Sequence, residues 1–224
     1  MILGVLDIET TGIDKRFHRI IEVGVRLISD RTIQDEHYQQ YIQPGRSVDP
    51  GAFAVHGISD DFLKDKPKFQ EVSADIKSFL QGCDALVIHN AKFDHPFLKM
   101  EFAIADLDVT WFDEITVIDT LTLARESYPG QRNNLDALCD RLGVKNNDRQ
   151  LHGALKDADL LAQVYLAMTR KQAVMGLGLD SQPEAKVVQS QVAPNISYET
   201  LSKDLDRHRE WLGQNSEHLF FEEA

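Results

Sequence analysis

The sequence predicts a mixed α/β domain followed by a C-terminal extension. Ile2-Leu3-Gly4-Val5-Leu6 and Ala85-Leu86-Val87-Ile88 are short apolar runs bounded by polar residues, as expected of strands buried on both faces. Segments with helical spacing lie between and after them, so strands and helices interleave. The pattern stops after Met168, where glycine and proline enter and large apolar side chains thin out.

Taken in order, Ile2 to Leu6 forms the first strand. Arg19 to Leu27 alternates, with Ile21, Val23, Val25 and Leu27 on one face, which predicts a half-buried strand. Gln34 to Ile42 is a weaker strand closed by Pro44-Gly45. After Pro67, the residues Phe69, Val72, Ile76, Phe79 and Leu80 make the apolar stripe of a helix. Ala85 to Ile88 and Val117-Ile118 are two further short strands. A helix through Phe97, Leu98 and Phe102 follows the first of these, with Asp94 in its opening turn. Leu135, Leu138 and Leu142 mark a helix capped by Asn134 and stopped by Gly143. The strongest helix spans Gly153 to Met168, with Ala154, Ala158, Leu161, Tyr165 and Met168 as its stripe. Residues 170–196 read as a flexible linker. Ser197 opens a last helix with Tyr198, Leu201, Leu205 and Leu212 on one side. Such a stripe needs a surface to pack on, either the domain itself or a partner.

Composition narrows the function. The chain has 224 residues and an ordinary globular balance, with 42% hydrophobic and 27% charged residues, so wholesale disorder is excluded. No apolar run reaches membrane-spanning length, and the N-terminus reads directly into a strand. Cys83 and Cys139 make neither a disulfide framework nor a metal-ligand spacing, which points to a reducing, cytoplasmic setting. The net charge of −12 gives no long-range attraction for nucleic acid. Any activity on nucleic acid is therefore local, metal-assisted or delivered by a partner.

Carboxylates recur at the ends of the elements. Asp7 and Glu9 are two apart on a strand and so share a face. Alone, such a pair is more often a solvated strand end. Following a fully buried strand, two anions side by side repel unless a cation lies between them. His89-Asn90-Ala91-Lys92-Phe93-Asp94 places a second acid after a buried strand. The bland alternative is a carboxylate favoured by the helix dipole. Phe93 suits the core and the face of a nucleobase equally. His152-Gly153-Ala154-Leu155-Lys156-Asp157 opens the strongest helix, with Asp157 on the margin of the apolar stripe, where an acid is costly unless paired or bound to metal. A lone histidine is more often structural than catalytic, so the weight of His152 comes from its company.

Together, Asp-x-Glu, Asn-x-x-Phe-Asp and His-x4-Asp in this order resemble the DEDDh 3′–5′ exonucleases, whose fold is RNase H-like. Within that superfamily, Phe53-Ala54-Val55-His56-Gly57-Ile58, Asp65-Lys66-Pro67, Gly130-Gln131-Arg132-Asn133-Asn134-Leu135-Asp136-Ala137-Leu138-Cys139 and Leu151-His152-Gly153-Ala154-Leu155 look like the proofreading branch that serves bacterial replicative polymerases. The resemblance covers residues 1–169 and implies an RNase H-like mixed sheet flanked by helices.

It also implies a mechanism. Two divalent ions, Mg²⁺ or Mn²⁺, about 3.5–4 Å apart would clamp the scissile phosphate. Asp7, Glu9, Asp94 and Asp157 would hold them and His152 would be the general base. Thr10, Val55, His56 and Phe93 would position the 3′-terminal nucleotide of a single-stranded or frayed DNA end. The family's layout further implies a polymerase-binding tail, here 197–224, and is compatible with a small stabilising subunit. Gln172-Ala173-Val174-Met175-Gly176-Leu177 resembles short peptides that bind bacterial sliding clamps, with Gln172, Met175 and Leu177 as the anchors. An ordinary linker with two apolar residues is the plain alternative. Two rival readings remain at this stage: a stand-alone DEDDh nuclease acting on RNA or in DNA repair, and a scaffold that has lost its chemistry. Intact catalytic positions weigh against the second.

Overall fold

The structure, a computed structural model, describes residues 1–146 and 151–175. Its centre is a five-stranded sheet in the order β3-β2-β1-β4-β5, formed by β1 (Ile2–Thr10), β2 (Ile20–Ser29), β3 (Thr32–Tyr41), β4 (Ala85–Ile88) and β5 (Thr116–Asp119). The first three strands form an antiparallel meander, and β1, β4 and β5 run parallel. The sheet is therefore mixed and flanked by helices, as the sequence predicts.

Each face carries its own core. Leu6, Ile8, Val23, Val25, Leu86 and Ile88 pack against helices α3 (Phe69–Gln81), α4 (Ala91–Ile104) and the short α5 (Trp111–Glu114). Leu3, Val5, Ile28, Ala85 and Val87 pack on the other face against α6 (Thr120–Ser127), α7 (Leu135–Leu142) and α8 (Ala154–Met175). Each large side chain so buried contributes about 1.5–3 kcal/mol. Two further short helices, α1 (Pro50–His56) and α2 (Asp60–Leu63), follow the meander. Asn134 caps α7, its side chain accepting from the Ala137 N–H at 3.1 Å, and Gly143 ends the helix with φ +70°. Both were expected.

β1 runs to Thr10, as the strand reading of Asp7 and Glu9 expects, and its pairing with β2 extends to that end while the shorter β4 stops opposite Leu6. Other elements differ from expectation for physical reasons. β2 is buried on both faces from Ile20 to Val25, not only on the alternating one, since helices cover it on either side. α8 begins at Ala154 and continues to Met175, into the segment read as a linker. Gln172 and Met175 fall within that helix, and their side chains are not among those described. Leu177, the rest of 170–196 from 176 onward, and the tail 197–224 lie outside the described residues.

Candidate active site

The C-terminal end of β1 carries the first two acids. Asp7 and Glu9 face the side of the sheet covered by α8, as do Leu3 and Val5 of the same strand. Gly24, opposite Asp7 on β2, is the reason α8 approaches so closely. A Cβ there would lie 2.2 Å from the Leu155 nitrogen, so only glycine admits the first turn of the helix. That turn presents Asp157, which is 3% exposed, toward β1. His152, two residues before the helix, pairs its Nδ1 with Asp157 Oδ2 at 3.2 Å. Its backbone N–H donates to the Val55 carbonyl at 3.1 Å, tying the α8 entrance to α1. Oxygen or nitrogen atoms of Glu9, His152 and Asp157 lie within 4.8 Å of one another.

Asp94 arrives from the other side of β1. β4 ends at Ile88, so the Ile8 N–H on that edge has no strand partner and donates to Asp94 Oδ1 at 3.2 Å. The carboxyl is 4% exposed. Burial, with the nearby Asp119 carboxylate adding to it, pushes its pKa up to about 8, against the pull of the Ile8 and its own backbone N–H groups. The turn that aims it is built by Asn90, held at φ +66°. The Asn90 N–H donates to Asp119 Oδ1 at 3.2 Å, and His89 Nδ1 bonds the Thr120 hydroxyl at 2.9 Å. Asp7, Glu9, Asp94, His152 and Asp157 all line one cleft of about 340 Å³.

A second cavity of about 710 Å³ shares Ile8, Glu9 and Phe93 with that cleft. Thr10, Val55, His56 and Phe93, the four positions expected to hold a nucleotide, all line it. Phe93 packs on the core and also lines the cavity. Its ring is tilted by 51° against that of Phe97, with centroids 4.9 Å apart. Thr10 donates its hydroxyl to the Gly12 carbonyl at 2.7 Å. His56 accepts at Nδ1 from the Ile58 N–H at 3.0 Å, which puts its proton on Nε2. That Nε2 is buried in the cavity wall, where the Thr10 backbone is an acceptor for it short of a full hydrogen bond. Burial pushes the ring's pKa down, against a smaller opposing pull from the Thr10 backbone, so the neutral donor form is favoured.

Sequence reasoning missed several residues of the two cavities. Ile13, 84% exposed, and the start of α1 at Pro50-Gly51-Ala52 line the nucleotide-sized cavity. Asp49-Pro50 was a readable signal, a capping residue followed by proline at the first helical position. Asn134 and Asp136, read as a helix cap and as part of the Gly130–Cys139 motif but not as site residues, line the acidic cleft.

The chain matches the exonuclease family model over residues 5–165. It is 45% identical over 210 residues to DNA polymerase III subunit epsilon of Pasteurella multocida, covering 91% of this chain and 81% of that one. With the subunit of the same name from Haemophilus influenzae it shares 49% over 173 residues, 75% of this chain and 67% of the relative. Among solved structures, the nuclease domain of 3′hExo, a DEDDh family member bound to rAMP, is similar in fold. Its TM-score is 0.65 at 20% identity, over 76% of this chain and 92% of that one.

Proposed function

This chain belongs to the exonuclease family and, within it, to the DNA polymerase III epsilon subunits; from that premise we propose that it proofreads DNA synthesis as a metal-dependent 3′–5′ exonuclease. The observation that carries the reading is the convergence of four acids and one histidine on a cleft beside a nucleotide-sized cavity.

The residues fit divalent cations of the Mg²⁺ or Mn²⁺ type. The donors are carboxylate oxygens crowded on one face, with no thiolate among them, the chemistry that hard cations select. Asp7, Glu9, Asp94 and Asp157 would hold two such ions, which when bound activate the attacking water and offset charge on the phosphate. His152 is the general base, exposed enough at 43% to meet water and oriented by Asp157. It takes the proton as the water oxygen bonds to phosphorus. The bond from phosphorus to the penultimate 3′ oxygen breaks, that oxygen takes a proton, and a 5′-mononucleotide leaves. Thr10, Val55, His56 and Phe93 hold the terminal nucleotide, with His56 Nε2–H donating to an acceptor on it. An unpaired end enters this cavity at less unstacking cost than a paired one, so a mismatch is removed faster.

In this reading the catalytic domain extends through α8, the linker follows Met175 and runs to 196, and 197–224 bind the polymerase catalytic subunit. The sliding clamp is a further partner through Gln172, Met175 and Leu177, which rests on sequence pattern alone. No described helix is long and apolar enough to cross a membrane.

The test is Asp7→Ala against wild type on a 5′-labelled single strand with Mg²⁺. The variant should keep its circular dichroism spectrum and lose at least about 10³-fold in rate, the scale of stabilisation such sites supply. A near wild-type rate would sink the assignment. Cleavage of RNA but not DNA would keep the site and overturn the substrate.

A further inference from the structure

Glu22 is the most buried acid in the described structure, at 1% exposure, yet it lies outside the cleft. It stands directly opposite Glu9 in the antiparallel ladder, so both side chains project onto the face that α8 covers. One oxygen, Oε2, accepts from the Ala154 N–H at 3.1 Å, the first residue of α8. The other, Oε1, accepts from the Gln39 side-chain amide at 2.8 Å. An anion at a helix N-terminus is favoured by the dipole and fills a donor that no helical carbonyl can reach.

Resting on the exonuclease reading above, we propose that Glu22 is a positioning residue for the reaction. Its carboxylate clamps the first turn of α8 to the sheet and thereby sets His152 and Asp157 against Glu9. The argument is one of leverage. His152 lies two residues before Ala154 and Asp157 three after it, so the held N–H sits between the base and the buried acid. The sheet side of the clamp is the strand neighbour of Glu9 itself. Arg26 on the same strand binds Asp159 further along α8, with Nη2 to Oδ2 at 3.1 Å, so the helix stays docked when the clamp at its tip is lost. The cavity for the terminal nucleotide is lined by β1, the loop that follows it, α1 and the start of α4, with no residue of α8 in its walls.

The test uses the full chain. Glu22→Ala should lower kcat on a single-stranded oligonucleotide by about 10–100-fold, the usual cost of losing a group that orients metal ligands, with KM within about threefold. Mn²⁺ binding, read by titration calorimetry, should weaken by a similar factor. Glu22→Gln keeps an oxygen for the Ala154 N–H and should restore both to within about threefold. Hydrogen exchange at the Ala154 amide should be slow in wild type and Glu22→Gln and fast in Glu22→Ala, with the β1 and β4 amides protected in all three. Wild-type kcat and Mn²⁺ affinity in Glu22→Ala would overturn the proposal. So would a Gln variant as impaired as the Ala variant, which would assign the effect to charge, or a loss confined to KM. Should Glu22→Ala not fold, Gln39→Ala removes the other partner from an exposed position. A smaller fall in kcat at constant KM supports the clamp, and unchanged kcat and Mn²⁺ affinity overturn it. Failure of the exonuclease reading is visible separately, as a wild-type chain that binds Mn²⁺ but shortens no strand.

Discussion

Asp94 is held in a position that an isolated carboxylate would avoid. Its folded pKa of about 8 lies far above the ordinary 3.8, so between those values the folded chain binds a proton that the unfolded chain has lost. In chelator, the stability contribution of this group is therefore present at low pH and falls as pH rises through roughly 4 to 8. Asp94→Asn keeps an oxygen for the Ile8 N–H and removes the charge. It should flatten that slope and, in chelator at pH 8, raise stability by about 1–3 kcal/mol while abolishing activity. Denaturation at pH 5 and pH 8 checks this; a variant less stable than wild type at pH 8 would contradict it. His56 supplies a second residue-scale prediction. His56→Asn retains an acceptor for the Ile58 N–H but cannot reach the cavity with a donor. KM for oligonucleotides should rise about tenfold, equivalent to one hydrogen bond, with kcat little changed. Steady-state kinetics decide it, and an unchanged KM would remove His56 from nucleotide binding.

The elements explain what could be read in advance. Strands and helices with long apolar stripes, α3, α7 and the core of α8, were legible because packing imposes their period. The end of β1 was legible too, because the Asp7 and Glu9 spacing reads as strand. Glu22 was not: within an alternating strand a polar residue reads as solvent-facing, and only the docking of α8 across Gly24 makes that face interior. α1 buries only His56 and α6 only Thr120 and Ala124, so neither carries the leucine stripe that marks α7, though Asp49 and Asp119 stand at their starts. That Asp7, Glu9, Asp94, His152 and Asp157 share a cleft was legible through the order of their motifs, which resembles the DEDDh exonucleases, and from no one of them alone. The way Asp94 reaches them was not, because it depends on β4 being shorter than β1. The same elements carry a stability prediction. Glu101 of α4 accepts from Arg19 Nε at 2.8 Å and from the Ile20 N–H at 2.9 Å, fixing the helix that bears Asp94 to the start of β2. Glu101→Ala should cost about 2–4 kcal/mol, less than a fully buried pair because Arg19 is a third exposed. Urea denaturation tests it, and a loss under about 0.5 kcal/mol would show that the pair holds nothing.

At the scale of the molecule, an acidic chain with a net charge of −12 has to act on a polyanion. The sheet answers this by gathering its acids where β1, the β4–α4 turn and the α8 entrance meet, so that bound cations would make one cleft attractive while the rest of the surface stays repulsive. The most direct test of this account is digestion of a 5′-labelled primer–template with a matched or mismatched 3′ end, in Mg²⁺ and in excess chelator. Single-nucleotide shortening from the 3′ end, faster at the mismatch and abolished by chelator, is the predicted result. Internal cleavage, loss from the 5′ end, or digestion indifferent to chelator would contradict it.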